Sequence, residues 1–230
     1  MAKKSKMFHL VTRTWNPVTG CRHNCVYCWA RRLAEEKLKY MSRKYARGFE
    51  PTLHPWELDA RFGPGEFVFV CDMGDLFGWW VPAEWIRAVL HVVERYPRTT
   101  FLFLTKNPKR YLQFDFPGNC ILGATIETDD DELYRSYGIS GAPPPGERID
   151  AMINLRHRRK LVSVEPVLAF TAEFPSKITL IGPEIVYVGY DNYGCGLPEP
   201  PLSDTLWLIE SLERAGITVY RKTLREGDRG

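Results

Sequence analysis

The chain has 230 residues, 44% of them hydrophobic and 13% aromatic, which suits one soluble domain with a substantial core. No run of eighteen apolar residues is present, so no membrane-spanning helix is expected. The net charge is only +3, but residues 1–50 hold twelve Lys/Arg against three acids, a local +9 that leaves −6 for the rest.

The first six residues, Met1 to Lys6, are basic and no apolar signal region follows them, so a cytoplasmic location is expected. Phe8-His9-Leu10-Val11-Thr12 reads as a first strand. A loop with three cysteines comes next: Cys21, Cys25 and Cys28, spaced C-x-x-x-C-x-x-C, with Tyr27 directly before the last. Crowding three of the six cysteines into eight residues favours metal ligation over disulfides. Three thiolates can hold three irons of a 4Fe–4S cluster and leave the fourth open, whereas a cluster that only carries electrons normally takes four cysteines. A cluster with a fourth protein ligand, Cys195 or His23, is a competing reading. So is a structural Cys₃His zinc site using His23, although zinc sites usually pair two hooks well separated in sequence and no second C-x-x-C exists here.

Residues 29–47 read as a helix that carries Arg31, Arg32, Lys37, Lys39, Arg43, Lys44 and Arg47. Such a face attracts phosphate groups; it equally suits a solvated surface on which Glu35 and Glu36 pair locally. Further along, strands are expected at 67–71, 100–105, 120–126, 160–165, 185–190 and 217–220, with helices at 82–96, 147–157 and 202–215. The stretch from Asp129 to Gly146 reads as a loop.

Strands that alternate with helices imply right-handed βαβ units and a parallel sheet. The expected fold is α/β, a partial, open parallel barrel of about six βα units. The whole chain, 1–230, reads as one domain with its core at about 8–222. Ligands in this class meet the carboxyl ends of the strands, which selects the cysteine loop, Asp72-Met73-Gly74-Asp75, Lys106, Thr125 and Glu127, Ser163 and Glu165, and the segment from Asp191 to Gly196.

The cysteine spacing resembles the signature of the radical S-adenosylmethionine (SAM) superfamily. Thr14 to Cys21, Asp75-Leu76-Phe77-Gly78, Leu104 to Pro108, Leu122 to Glu127 and Ser163-Val164-Glu165-Pro166 resemble segments of small radical-SAM-like proteins of phages and prokaryotes. A more distant likeness is to the spore photoproduct lyase family. The resemblance implies a 4Fe–4S cluster on Cys21, Cys25 and Cys28, whose open iron chelates SAM. Reductive cleavage would then give methionine and a 5′-deoxyadenosyl radical that takes hydrogen from a substrate. It also implies Tyr27 near the adenine and the Asp72–Asp75 turn as backbone partner of the SAM amino group. Thr125 and Glu127 would meet the ribose, and Ser163 and Glu165 would touch SAM or substrate. An electron donor such as flavodoxin or ferredoxin is the implied partner.

Each assignment has a plainer counterpart: Asp75 as a helix cap, Glu127 as a solvated loop acid, Cys195 as a small residue between two glycines. As a reactive thiol, Cys195 would return hydrogen to a substrate radical with help from Tyr193. The Gly194-Cys195-Gly196 sequence departs from the glycine, glutamate and serine usual at that point of the resemblance. Lys106 and Lys222 are candidates for a substrate phosphate or carboxylate. The expected substrate is a nucleotide, nucleobase or nucleic acid, from the basic first fifty residues, the aromatics Trp79, Trp80 and Tyr193, and the lyase resemblance. The non-enzymatic alternative is a zinc- or cluster-stabilised nucleic-acid-binding protein.

Overall fold

The computed structural model describes residues 7–225. Its main sheet has seven strands: β1 (Arg13–Trp15), β4 (Phe67–Val70), β5 (Thr100–Thr105), β6 (Cys120–Thr125), β7 (Lys160–Val164), β8 (Ile185–Val188) and β9 (Thr218–Arg221), in that order across the sheet. The pairs β1–β4, β4–β5, β7–β8 and β8–β9 are parallel. A short antiparallel pair, β2 (Val18–Thr19) with β3 (Thr52–Leu53), stands apart. The chain divides into two compact units, Met1–Asn24 with Cys28–Leu122, and Cys25–Tyr27 with Gly123–Gly230. Among the described residues no helix is long and apolar enough to cross a membrane.

The central strands are mostly apolar, as strands buried on both sides are. Phe101, Leu102 and Phe103 of β5 and all six residues of β6 are buried. The flanking helices α3 (Ala83–Glu94) and α7 (Leu202–Arg214) bury stripes at helical spacing, Ile86, Val89, Leu90 and Val93 in the first and Thr205, Leu208, Ile209 and Leu212 in the second.

Several elements differ from the sequence reading. The first strand lies at Arg13–Trp15 and not at 8–12. Phe8 and Val11 are fully buried, yet they sit in a turn closed by Val11 N–H on Phe8 O, and a short apolar run does not distinguish a strand from a buried turn. The expected helix over 29–47 is broken. It runs as α1 (Trp29–Leu33), a π-helical turn at Ala34–Leu38 and α2 (Lys39–Met41); Ser42 is then extended, and a 3₁₀ turn follows at Arg43–Tyr45. Ala30, Ala34, Tyr45 and Phe49 share one core cluster with Met73, whereas a straight helix would set Ala30 and Phe49 about 28 Å apart along its axis. The loop expected at 129–146 contains α4 (Asp131–Ser136), capped by the Asp130 carboxylate on the N–H groups of Glu132 and Leu133. It leads into α5 (Pro145–Asn154), two residues earlier than expected. Helix α6 (Phe174–Ile181) was not expected at all, although Phe174, Ile178 and Ile181 carry its buried spacing.

Candidate active site

In the first unit, the chain leaves β1 and passes into the cysteine loop through Gly20. This residue has φ +88, and a Cβ on it would lie 2.5 Å from the Glu50 backbone, so only glycine fits. Gly20 N–H donates to Met73 O at 2.9 Å, Asp75 N–H to Gly20 O at 3.4 Å, and Cys21 N–H to Phe49 O at 3.2 Å. The Cys21 sulfur accepts the N–H of His23 at 3.4 Å. Cys28 is the N-cap of α1, where its sulfur accepts the N–H of Arg31 at 3.4 Å. Backbone N–H groups aimed at sulfur favour the thiolate, the form that binds metal.

The turn after β4 is held from several sides. Asn16 donates to Asp72 Oδ1 at 2.6 Å and accepts the Met73 N–H at 3.0 Å. Burial pushes the Asp72 carboxyl up, against the Asn16 hydrogen bond and the Lys44 charge. Asp75 is buried and saturated. Its Oδ1 accepts from Thr105 Oγ1 at 2.7 Å and Phe77 N–H at 3.0 Å, and its Oδ2 from His23 Nε2 and Lys106 N–H, both at 3.0 Å. Burial alone would raise its pKa; the His23 hydrogen bond and charge, with the Lys106 and Thr105 donors, outweigh that and hold it below the usual carboxylate range. Trp80 packs edge-on to the His23 ring, with centroids 4.7 Å apart.

In the second unit, Cys25 Sγ lies 3.1 Å from Ser140 Oγ, and Val26 N–H donates to Ile139 O. Tyr27 enters a buried ionic network. Its hydroxyl donates to Glu127 Oε1, which also accepts from Tyr134 at 3.3 Å. Arg148 donates to Glu127 Oε2 at 2.7 Å and to the Tyr134 oxygen at 2.7 Å, and both ends of the ion pair have 0% side-chain exposure. Arg148 lies in the first turn of α5, and helical side chains lean toward the N-terminus, which lets its Nε reach Pro143 O at 2.7 Å. Burial, then the Glu127 charge, pushes the Tyr27 hydroxyl far above its ordinary value.

Two smaller groups sit at strand ends of this unit. Ser163 donates to Glu165 Oε2 at 3.1 Å and Lys222 Nζ lies 3.3 Å from Glu165 Oε1; burial raises the Glu165 carboxyl while Lys222 and Ser163 pull it back. Asp191 accepts the N–H groups of Tyr193 at 3.1 Å and Cys195 at 2.7 Å. The Cys195 thiol reaches toward Val26 O at 3.8 Å.

Residues 5–189 match the family described as "Protein of unknown function (DUF5131)". The chain belongs to that family. No curated protein matches the sequence. Among solved structures, a spore photoproduct lyase mutant with dinucleoside spore photoproduct aligns with a TM-score of 0.63 at 11% identity, over 96% of this chain and 79% of that one. The lyase complexed with the same dinucleoside aligns at 0.62 and 10%, with the same coverage. A further mutant, with bound AdoMet and the dinucleoside, aligns at 0.57 and 11%, covering 99% of this chain. The chain spans 66% of that lyase's length, just under two thirds. At this identity the likeness establishes a shared α/β fold.

For this DUF5131 member, the structure joins Asp75 to Lys106, Tyr27 to Glu127, and Ser163 and Glu165 to Lys222. Glu127 is no solvated loop acid, and Asp75 caps no helix, since α3 begins only at Ala83 behind Pro82. Cys21, Cys25, Cys28 and Cys195 are half-buried thiols, while Cys71 and Cys120 are buried. Among the described residues no three His, Cys, Asp or Glu side chains converge as ligands of one ion. A cluster gives each thiolate its own iron, so its sulfurs have no common point to meet. His23 commits Nε2 to Asp75. Sequence reasoning missed Asn16, Tyr134 and Arg148. An arginine two residues after a Pro-Gly helix start, downstream of Glu127, was the available signal for the last.

Proposed function

We propose that this chain is a radical SAM enzyme built on an open parallel barrel, acting as one cytoplasmic domain. In this reading Cys21, Cys25 and Cys28 hold a 4Fe–4S cluster. The observation that carries it is the C-x-x-x-C-x-x-C loop following the first parallel strand, with backbone N–H groups on the sulfurs of Cys21 and Cys28. The fold it shares with a lyase solved with AdoMet supports the same reading. When bound, the cluster supplies one electron that cleaves SAM to methionine and a 5′-deoxyadenosyl radical.

The chain's own residues bind and orient. The Met73 carbonyl spends one lone pair on Gly20 N–H and keeps another for the SAM amino group. Thr125 is assigned to the ribose. Glu127, fully committed within the protein, holds Tyr27 in place beside the adenine. Lys222 and Glu165 present a half-buried charge pair to polar substrate groups, and Lys106 adds a cation at the end of β5. Cys195 returns hydrogen to the substrate radical: its S–H bond breaks and a substrate C–H bond forms, the Tyr193 O–H restores the thiol, and one electron from the proposed flavodoxin or ferredoxin with a proton from solvent returns the tyrosyl radical to tyrosine. A flavodoxin or ferredoxin is the proposed electron source. The substrate class is a nucleotide, nucleobase or nucleic acid, supported by the basic first fifty residues, by exposed Trp79 and Tyr193, and by the dinucleoside ligand of the lyase structures.

Anaerobic reconstitution tests this reading. It should yield about four irons per chain and, with SAM and dithionite, 5′-deoxyadenosine and methionine. Alanine at any of Cys21, Cys25 or Cys28 should abolish both. Stoichiometric zinc with no SAM cleavage would overturn the reading in favour of a zinc-stabilised binding protein.

A further inference from the structure

We propose that Asp75, acting through His23, is a positioning device that fixes the Cys21 thiolate before any cluster is loaded. The inference rests on the cluster reading above and adds to it two residues beyond the three cysteines.

His23 sits between two of the cysteines, on a loop whose neighbours Arg22 and Asn24 are exposed, yet its ring is 1% exposed. Burying an imidazole in a solvent-facing loop requires a partner for its polar atoms. Asp75 is that partner, 3.0 Å from Nε2, which therefore carries the proton. Asp75 in turn has no conformational freedom. Four donors from three places in the chain, His23, Phe77, and Thr105 with Lys106 at the end of β5, fill the roughly four acceptor sites that a carboxylate offers. The end of a central strand thus fixes the carboxylate, and the carboxylate fixes the imidazole.

The imidazole fixes sulfur by a direct route. The backbone N–H of His23 donates to Cys21 Sγ, so the residue anchored through its ring holds the thiol through its amide. The Gly20–Met73 and Asp75–Gly20 backbone bonds place Cys21's other flank on the same turn. Asn24 completes the loop at φ +54, a left-handed conformation that costs a non-glycine residue energy and persists only where neighbours hold it. Hydrogen bonds to the sulfurs are one of the levers on a cluster's reduction potential. The pair therefore acts on the potential as well as on the shape of the loop.

His23→Leu keeps the bulk and removes the donor; His23→Gln restores an amide donor toward Asp75; Asp75→Asn keeps the shape and removes the charge. Two readouts are needed. In the metal-free protein, amide exchange of residues 21–24 should quicken roughly tenfold in His23→Leu and Asp75→Asn, the effect of losing one charge-assisted hydrogen bond on a local opening. His23→Gln should return it toward wild type. In reconstituted protein, His23→Leu should still take up iron but show a shifted midpoint potential and an altered EPR spectrum, with His23→Gln intermediate. Unchanged exchange in the metal-free variants, or a loaded His23→Leu with wild-type potential and spectrum, overturns the proposal. If wild-type protein takes up no cluster while the exchange pattern follows the prediction, the cluster reading falls and the anchoring of Cys21 stands.

Discussion

Replacing Arg148 by methionine should be among the most damaging single changes in the second unit. The guanidinium donates to Pro143 O, Thr125 O, Glu127 Oε2 and the Tyr134 hydroxyl, and both members of the ion pair are sealed from water. Arg148→Met leaves a carboxylate in a dry site without its cation, facing the Tyr27 and Tyr134 hydroxyls, and removes a donor from the Pro143 and Thr125 carbonyls. Removing one partner of a buried pair costs about 3–5 kcal/mol. For a chain of this size each kcal/mol moves Tm by about 2–4 °C, so a fall of roughly 6–20 °C is expected. Removing the charge as well, in Arg148→Met/Glu127→Gln, should be less harmful than the two single costs added. The missing part is the penalty of the stranded charge, with a coupling of up to about 3 kcal/mol. Urea unfolding followed by circular dichroism and tryptophan fluorescence measures all four proteins. A cost below about 1 kcal/mol for Arg148→Met, or strict additivity in the double variant, would show that water or rearrangement relieves Glu127, and the argument for a sealed network would fail.

Three other outcomes follow from the geometry. Iodoacetamide at mildly alkaline pH should alkylate Cys21, Cys25, Cys28 and Cys195 of the metal-free protein well before Cys71 and Cys120; burial pushes the Cys71 thiol far up, and mass spectrometry that found Cys71 labelled first would contradict its placement. Burial raises the Glu165 carboxyl, so the folded state holds that proton more tightly than the unfolded state. Its stabilising contribution is therefore full below the unfolded value of about 4.3 and fades as pH rises through the folded one. Glu165→Gln should remove that fade, so its Tm relative to wild type should rise with pH on the acid side of neutrality, and a difference that falls with pH or does not change would refute the assignment. Gly74→Ala would place a Cβ 2.8 Å from Gly20 O, parting the turn from the cysteine loop at a cost of about 1–3 kcal/mol and quickening Cys21 labelling; wild-type Tm and labelling would disprove the close approach.

The strands from β4 to β9, the parallel α/β class and the three-cysteine loop were legible in the sequence; the place of the first strand and the short β2–β3 pair were not. Apolar periodicity and local spacing are properties of neighbouring residues, and Phe67–Val70, Thr100–Thr105 and Cys120–Thr125 are strands because their own apolar, β-branched and aromatic side chains suit a buried strand. The π-helical break after Leu33 was not legible, because it answers to packing on Phe49 and Met73 rather than to propensity. Nor were the partners of the site residues. His23 meets Asp75 across 52 positions, Tyr27 meets Glu127 across 100, and Arg148 closes on Glu127 from a helix 21 residues away. No local pattern encodes such pairings. Folding decides which partners each carboxylate meets, and it set Asp75 against His23 and Glu127 against Arg148.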